Sequence, residues 1–121
     1  MNINQLVSLL TSLQGVYGDT PSLDNGMVGK YVVVRCHDAG VHAGVLESHS
    51  GRECVLSESR RLWYWKPKNG AKYLSGVATA GLHPSSKVGA PVRIHLTENC
   101  EIIQCTPKAE TSIREAKTDE S

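Results

Sequence analysis

The spacing of apolar residues along the chain changes twice. Over residues 1–14, Ile3, Leu6, Val7, Leu10 and Leu13 recur at helical intervals, with Leu9 at the margin of the stripe. Asn2 or Asn4 can cap this segment and Gly15 can end it, so the pattern predicts a short N-terminal helix. Such a helix is marginal alone and has to pack on its own domain or on a second subunit. Residues 15–28 hold glycines, Pro21 and other turn formers, which predicts a linker arm. A compact β domain is expected over 29–121.

From Gly29 the period becomes two. Lys30–Cys36 is rich in β-branched residues and predicts a strand that is apolar on both faces at its centre. His37–Gly40 turns the chain, with Gly40 suited to positive φ. Val41–Ser48 then alternates, with Val41, Ala43 and Val45 on one face and His42, Gly44 and Leu46 on the other. A tight turn over Ser48–Gly51 leads into Glu53–Ser57, and Arg60–Lys66 forms a fourth strand. Alternation puts Arg61, Trp63 and Trp65 on one side of it and Arg60, Leu62 and Tyr64 on the other. Ala71–Ala80 predicts a short helix with Leu74, Val77 and Ala78 inward, stopped by His83-Pro84. Pro91–Thr97 and Asn99–Cys105 complete the strands, and Thr106 or Thr111 caps a last helix that runs to Ala116. Lys117–Ser121 is polar and expected to fray. The whole is a mainly β fold, a small, strongly bent antiparallel sheet or barrel of about six strands, with a short N-terminal helix and a short C-terminal helix.

Composition narrows the class. At 121 residues, with 40% apolar and 21% charged, the chain suits one soluble domain. A net charge of +1 excludes a generally basic nucleic-acid coat, so any pull on an anion has to be local. No apolar run approaches the ~18 residues of a membrane span, and no signal-peptide pattern opens the chain, so a cytosolic protein is expected. Cys36, Cys54, Cys100 and Cys105 contain no C-x-x-C pair, which predicts reduced, half-buried strand thiols and neither a metal site nor a cofactor.

The chemistry concentrates in Arg60-Arg61-Leu62-Trp63-Tyr64-Trp65-Lys66, which holds both tryptophans, one of four tyrosines and three cations. No acidic residue follows until after Tyr73. Flat π faces among positive charges suit a stackable ring attached to phosphate. The candidate ligand-binding residues are Arg60, Arg61, Tyr64, Trp65, Lys66, Lys68 and Lys72, joined by His42 and Arg93 from neighbouring strands. Which face of the strand is wet stays open. If the tryptophan face is core, Arg60 and Tyr64 are exposed together and Trp63→Ala costs on the order of 3–5 kcal/mol. Gly44 inside a strand predicts a bulge or the close approach of a ligand or another chain. No G-x-S-x-G, Walker A, H-E-x-x-H or dinucleotide-binding pattern occurs, so binding is expected and catalysis is not.

Val34-Arg35, the run Ala39–Leu46, Gly51 and Arg60–Trp65, together with Ile94–Thr106, resemble a family of small phage-encoded proteins that has no established activity. Gln104 stands where that family is expected to have proline, and the resemblance covers roughly residues 29–116. It implies a viral protein in the host cytoplasm, where small accessory proteins block host defence. One such route resembles a sponge, an oligomer that traps a nucleotide messenger without cleaving it. The expectation is therefore a homo-oligomeric, non-enzymatic trap for a small anionic nucleotide-type ligand. An interaction protein with no small ligand is the alternative, and nucleic-acid binding, which demands a steep salt dependence, is less favoured.

Overall fold

The β-branched run after Gly29 forms strand β1 (Tyr31–Cys36), which pairs antiparallel with β2 (Val41–Ser50), and β2 pairs in turn with β3 (Glu53–Tyr64). The computed structural model describes residues 26–119. The helix expected over 1–14 and the arm as far as Asn25 lie outside the described residues. Two further strands, β4 (Lys87–Val88) and β5 (Val92–Leu96), share the other edge of β3, and β6 (Asn99–Gln104) returns to β1. The order is β4-β3-β2-β1-β6, with β5 also on β3. Thr97 and Glu98 alone join β5 to β6, yet those strands do not pair, so the bent antiparallel sheet stays open and is not a closed barrel.

The expected third and fourth strands are one. Glu58 takes φ 51 and the register with β5 slips between Leu56 and Ser59, so β3 bulges and bends where a loop was expected. The turn before it is only Gly51-Arg52, because β2 runs on to Ser50 opposite Glu53. The sixth strand is instead the two-residue β4, taken from the stretch that lacks alternation and held by the far half of β3.

Both described helices form near where the sequence places them, the first shorter than the expected Ala71–Ala80 and the second starting at the earlier of the two candidate caps. Helix α1 (Leu74–Ala80) buries Leu74, Val77 and Ala78 and stops at Gly81, which takes φ 91. Helix α2 (Pro107–Glu115) begins on Thr106, whose side chain accepts the Ala109 N–H at 3.1 Å, with Pro107 in the first turn. Both pack on one face of the sheet, where Leu74, Val77, Leu82 and Ile113 meet Tyr31, Val33, Ala43 and Leu62. On the other face Val32, Val34, Leu46, Leu56 and Leu96 bury one another, with no described helix among them. Residues of β1, β2, β3 and β5 meet in this second cluster, and β1 is buried on both sides. No described helix is long and apolar enough to cross a membrane.

The tail expected to fray is tied in as far as the described residues go. Thr118 bridges Val88 in parallel, and the Asp119 N–H donates to the Val88 oxygen at 2.8 Å.

Cys36 and Cys54 are buried, and both thiols donate to Asn99 Oδ1, at 3.8 and 3.5 Å. Burial, with Cys54 and Cys100 nearby, pushes the Cys36 thiol up to about 11; burial, with Glu110 nearby, pushes Cys105 up to about 12. Burial raises Cys54 as well, whereas Cys100 is exposed. Iodoacetamide at pH 8 is expected to label Cys100 in the native protein and the other thiols only in denaturant, read by peptide mass mapping. Fast native labelling of Cys36 would contradict this packing. Because the fold holds these thiols protonated above their ordinary 9.0, their contribution is complete below that pH and is lost as pH rises toward 11–12.

Candidate functional site

Beyond its bulge, β3 presents Arg60 opposite Ala43 and Arg61 opposite His42, so neighbouring arginines face opposite sides of the sheet. Arg60 points to the helix side and is 4% exposed. Its Nε donates to the Gly89 oxygen at 2.8 Å, and its Nη1 donates to the carbonyls of Ile113 (2.7 Å), Arg114 (3.2 Å) and Ala116 (2.7 Å). Its Nη2 reaches Thr118 Oγ1 at 3.0 Å. The last carbonyls of a helix have no intrahelical donor and carry partial negative charge. A guanidinium answers both needs, so Arg60 is a helix cap supplied by a distant strand. Burial lowers its pKa, partly opposed by Tyr31. Among the candidate ligand residues, Arg60 is a correction.

The opposite face meets solvent at Arg61 and Trp63, while on the Arg60 side only Tyr64, at the end of the strand, is exposed. Trp63 is 44% exposed and Arg61 is also exposed; with His42, Gly89, Ala90, Val92 and Ile94 they line a recess of about 490 Å³. Its position follows from the bend: β4 and β5 hold different halves of the same β3 edge, and the Gly89–Ala90 link crosses between them. That link is pinned from both sides, by Gly89 N–H to the Arg61 oxygen (2.8 Å) and by Arg60 to the Gly89 oxygen. A smaller recess of about 310 Å³ adjoins it through Arg61 and Trp63 and adds Asp38, Ala39, Gly40 and Trp65.

Charge in the main recess is positive. Among the described residues no acidic side chain lines it. Arg61 has no carboxylate within ion-pair distance among the described residues. Lys87 places its ammonium 5.1 Å from the centre of the Trp63 ring. His42 is 1% exposed, and its Nε2–H donates to the Ala39 carbonyl at 2.9 Å, which fixes the tautomer of the neutral ring. Burial, and the Arg61 charge in addition, lower its pKa, against the pull of that carbonyl bond.

Of the nine candidates, the structure brings Arg61 and His42 into the main recess and Trp65 into the adjoining one. The others lie elsewhere. Arg93 is drawn off by Glu47, with which it makes bonds of 2.7 and 3.3 Å. Lys68 lines a separate cavity with Lys108 and Ser112. Tyr64, Lys66 and Lys72 are exposed and line none of these recesses. Sequence reasoning missed Trp63 as a wall and Lys87, Val92 and Ile94 as its surroundings. The period of two had already set Trp63 beside Arg61, which was the available signal. Among the described residues one group could hold a metal ion: His37, Asp38 and Glu98, all exposed, with ligating atoms within 4.8 Å of one another. His37 Nδ1 and Asp38 Oδ1 already pair at 3.0 Å.

No curated protein and no solved structure matches the chain. The model of the domain of unknown function DUF6948 matches residues 29–113, close to the extent over which the sequence resembles an uncharacterised family. With its bent sheet, both described helices and the whole recess inside or adjoining that match, the chain belongs to the DUF6948 family.

Proposed function

We propose that the recess binds a small anionic ligand carrying an aromatic ring, of nucleotide type, and holds it without chemical change. The observation that carries this reading is the pairing of a half-exposed Trp63 with an Arg61 that has no carboxylate partner among the described residues. A base stacked on an aromatic face gains roughly 1–3 kcal/mol. A guanidinium beside it offers a planar fork for phosphate, and Lys87 adds charge at the rim. A volume of about 490 Å³ lies within the range of small-ligand pockets. The resemblance to phage accessory proteins supports the further step, that the ligand is a nucleotide signal of host defence, trapped in the host cytoplasm by a homo-oligomer. The alternative of a protein-facing patch built on Arg60 and Tyr64 loses its arginine to the helix cap.

Isothermal titration against a panel of cyclic and linear nucleotides tests the reading. At least one is expected to bind with Kd tighter than about 10 μM, to be recovered intact by mass spectrometry, and to bind about 5- to 100-fold more weakly to Trp63→Ala or Arg61→Ala. Because Trp63 is 44% exposed, its replacement is expected to cost far less stability than the 3–5 kcal/mol of a core tryptophan. A panel with no binding at that threshold would remove the proposal.

A further inference from the structure

The Trp63 ring is not held by sheet packing alone. Its Nε1–H donates to the Asp119 carbonyl oxygen at 2.7 Å, so the C-terminal segment fixes the outer edge of the indole. That segment is itself fixed at two points. Asp119 N–H donates to the Val88 oxygen at 2.8 Å, and Thr118 Oγ1 accepts from Arg60 Nη2 at 3.0 Å. Val88 directly precedes Gly89 of the recess, and Lys87 lies over the same indole. One short stretch of chain therefore ties the buried arginine, the two-residue strand and the recess wall together.

We infer that Thr118 and Asp119 are positioning residues of the recess, a strap that sets the Trp63 ring at the angle in which its face meets the ligand. The ligand rests on the reading above; the strap's action on the ring does not. A half-exposed tryptophan left free has to be ordered when a ring stacks on it, and a wall ordered beforehand avoids that cost. Immobilising one such side chain in advance corresponds to about a threefold to tenfold gain in affinity. The contact runs through the Asp119 backbone carbonyl and the indole N–H, so the effect belongs to the path of the chain at 119 and to the nitrogen of Trp63.

Three chains test this: the full chain, a chain ended after Ala116, and full-length Asp119→Pro, which removes the N–H bonded to Val88 while leaving Thr118 beside Arg60. Each is made with Trp63 and with Trp63→Phe. The first readout needs no ligand: exchange of the Trp63 indole N–H with solvent by NMR, with the Trp65 indole as internal reference. The second is affinity for whichever nucleotide of the panel binds the full chain most tightly. In the full chain the Trp63 N–H is expected to exchange at least about tenfold more slowly than in either altered chain. Affinity is expected to fall about threefold to tenfold on truncation and on Asp119→Pro, and to be unaffected by either change in the Trp63→Phe background. Equal exchange rates in full and altered chains would overturn the inference. So would an equal loss of affinity with phenylalanine at 63, since that loss would then come from the fold. If no nucleotide binds the full chain, the proposed function fails, and the strap stands or falls on the exchange rates alone.

Discussion

Replacing Arg60 by alanine is expected to lower the free energy of unfolding by roughly 3–5 kcal/mol, read from the urea midpoint and slope. The side chain is 4% exposed and its guanidinium serves the carbonyls of Gly89, Ile113, Arg114 and Ala116 together with the Thr118 hydroxyl. Alanine leaves those acceptors without their donor in a space that alanine does not fill. Each buried acceptor left unpaired costs about 1–3 kcal/mol, and water entering the vacated volume can serve some of them. Arg60→Lys is expected to recover only a minor part, because a single ammonium cannot reach Gly89 on one side and the end of α2 on the other. A loss below about 1 kcal/mol for Arg60→Ala would show that the helix end is served by water and that the cap adds little. On the sequence alone, with the tryptophan face taken as core, the same residue reads as an exposed ligand contact.

Gly44 carries the second large effect. A Cβ at this position would lie 2.8 Å from the Ser57 oxygen and 2.9 Å from the Ser59 Cα, both atoms of the β3 backbone at its bulge. Backbone in a paired strand cannot swing aside like the end of a side chain. Gly44→Ala is therefore expected to cost about 2–3 kcal/mol and Gly44→Val more, measured by the same unfolding experiment. The bulge that approaches Gly44 also aims Arg61 and Trp63 into the recess, so ligand affinity is expected to fall alongside stability. A neutral Gly44→Ala would mean that β2 and β3 can separate at the bulge without loss. The glycine's role is thus close approach by the chain's own neighbouring strand at a bulge; the bulge is a sequence expectation, whereas the close approach is expected there of a ligand or another chain.

Much of the fold was legible because it is local. Val32, Val33 and Val34 read as a strand buried on both faces, and they are, since helices cover one side and residues of β2, β3 and β5 the other. Thr106 is one of two candidate caps for the last helix, with Thr111, and the structure uses it, with Pro107 in the first turn, where a residue without an N–H costs no helical bond. Glu58 could not be read that way. Its φ of 51 joins two predicted strands into one long β3, and glutamate gives no local signal for that conformation. The strand Lys87–Val88 was equally silent, since two residues carry no period and form β4 only because β3 offers them an edge.

What the sequence determined by itself is the sorting of the aromatic-basic strand into two sets, Arg61 with Trp63 and Arg60 with Leu62. Alternation is a property of the extended backbone and needs no partner. Only the tertiary structure decided which set meets solvent. Helix α2 ends above Arg60, and its carbonyls draw that guanidinium inward, while the bend of β3 opens a hollow beneath Trp63. Those contacts join residues more than fifty positions apart, a separation at which no pattern within the strand carries information.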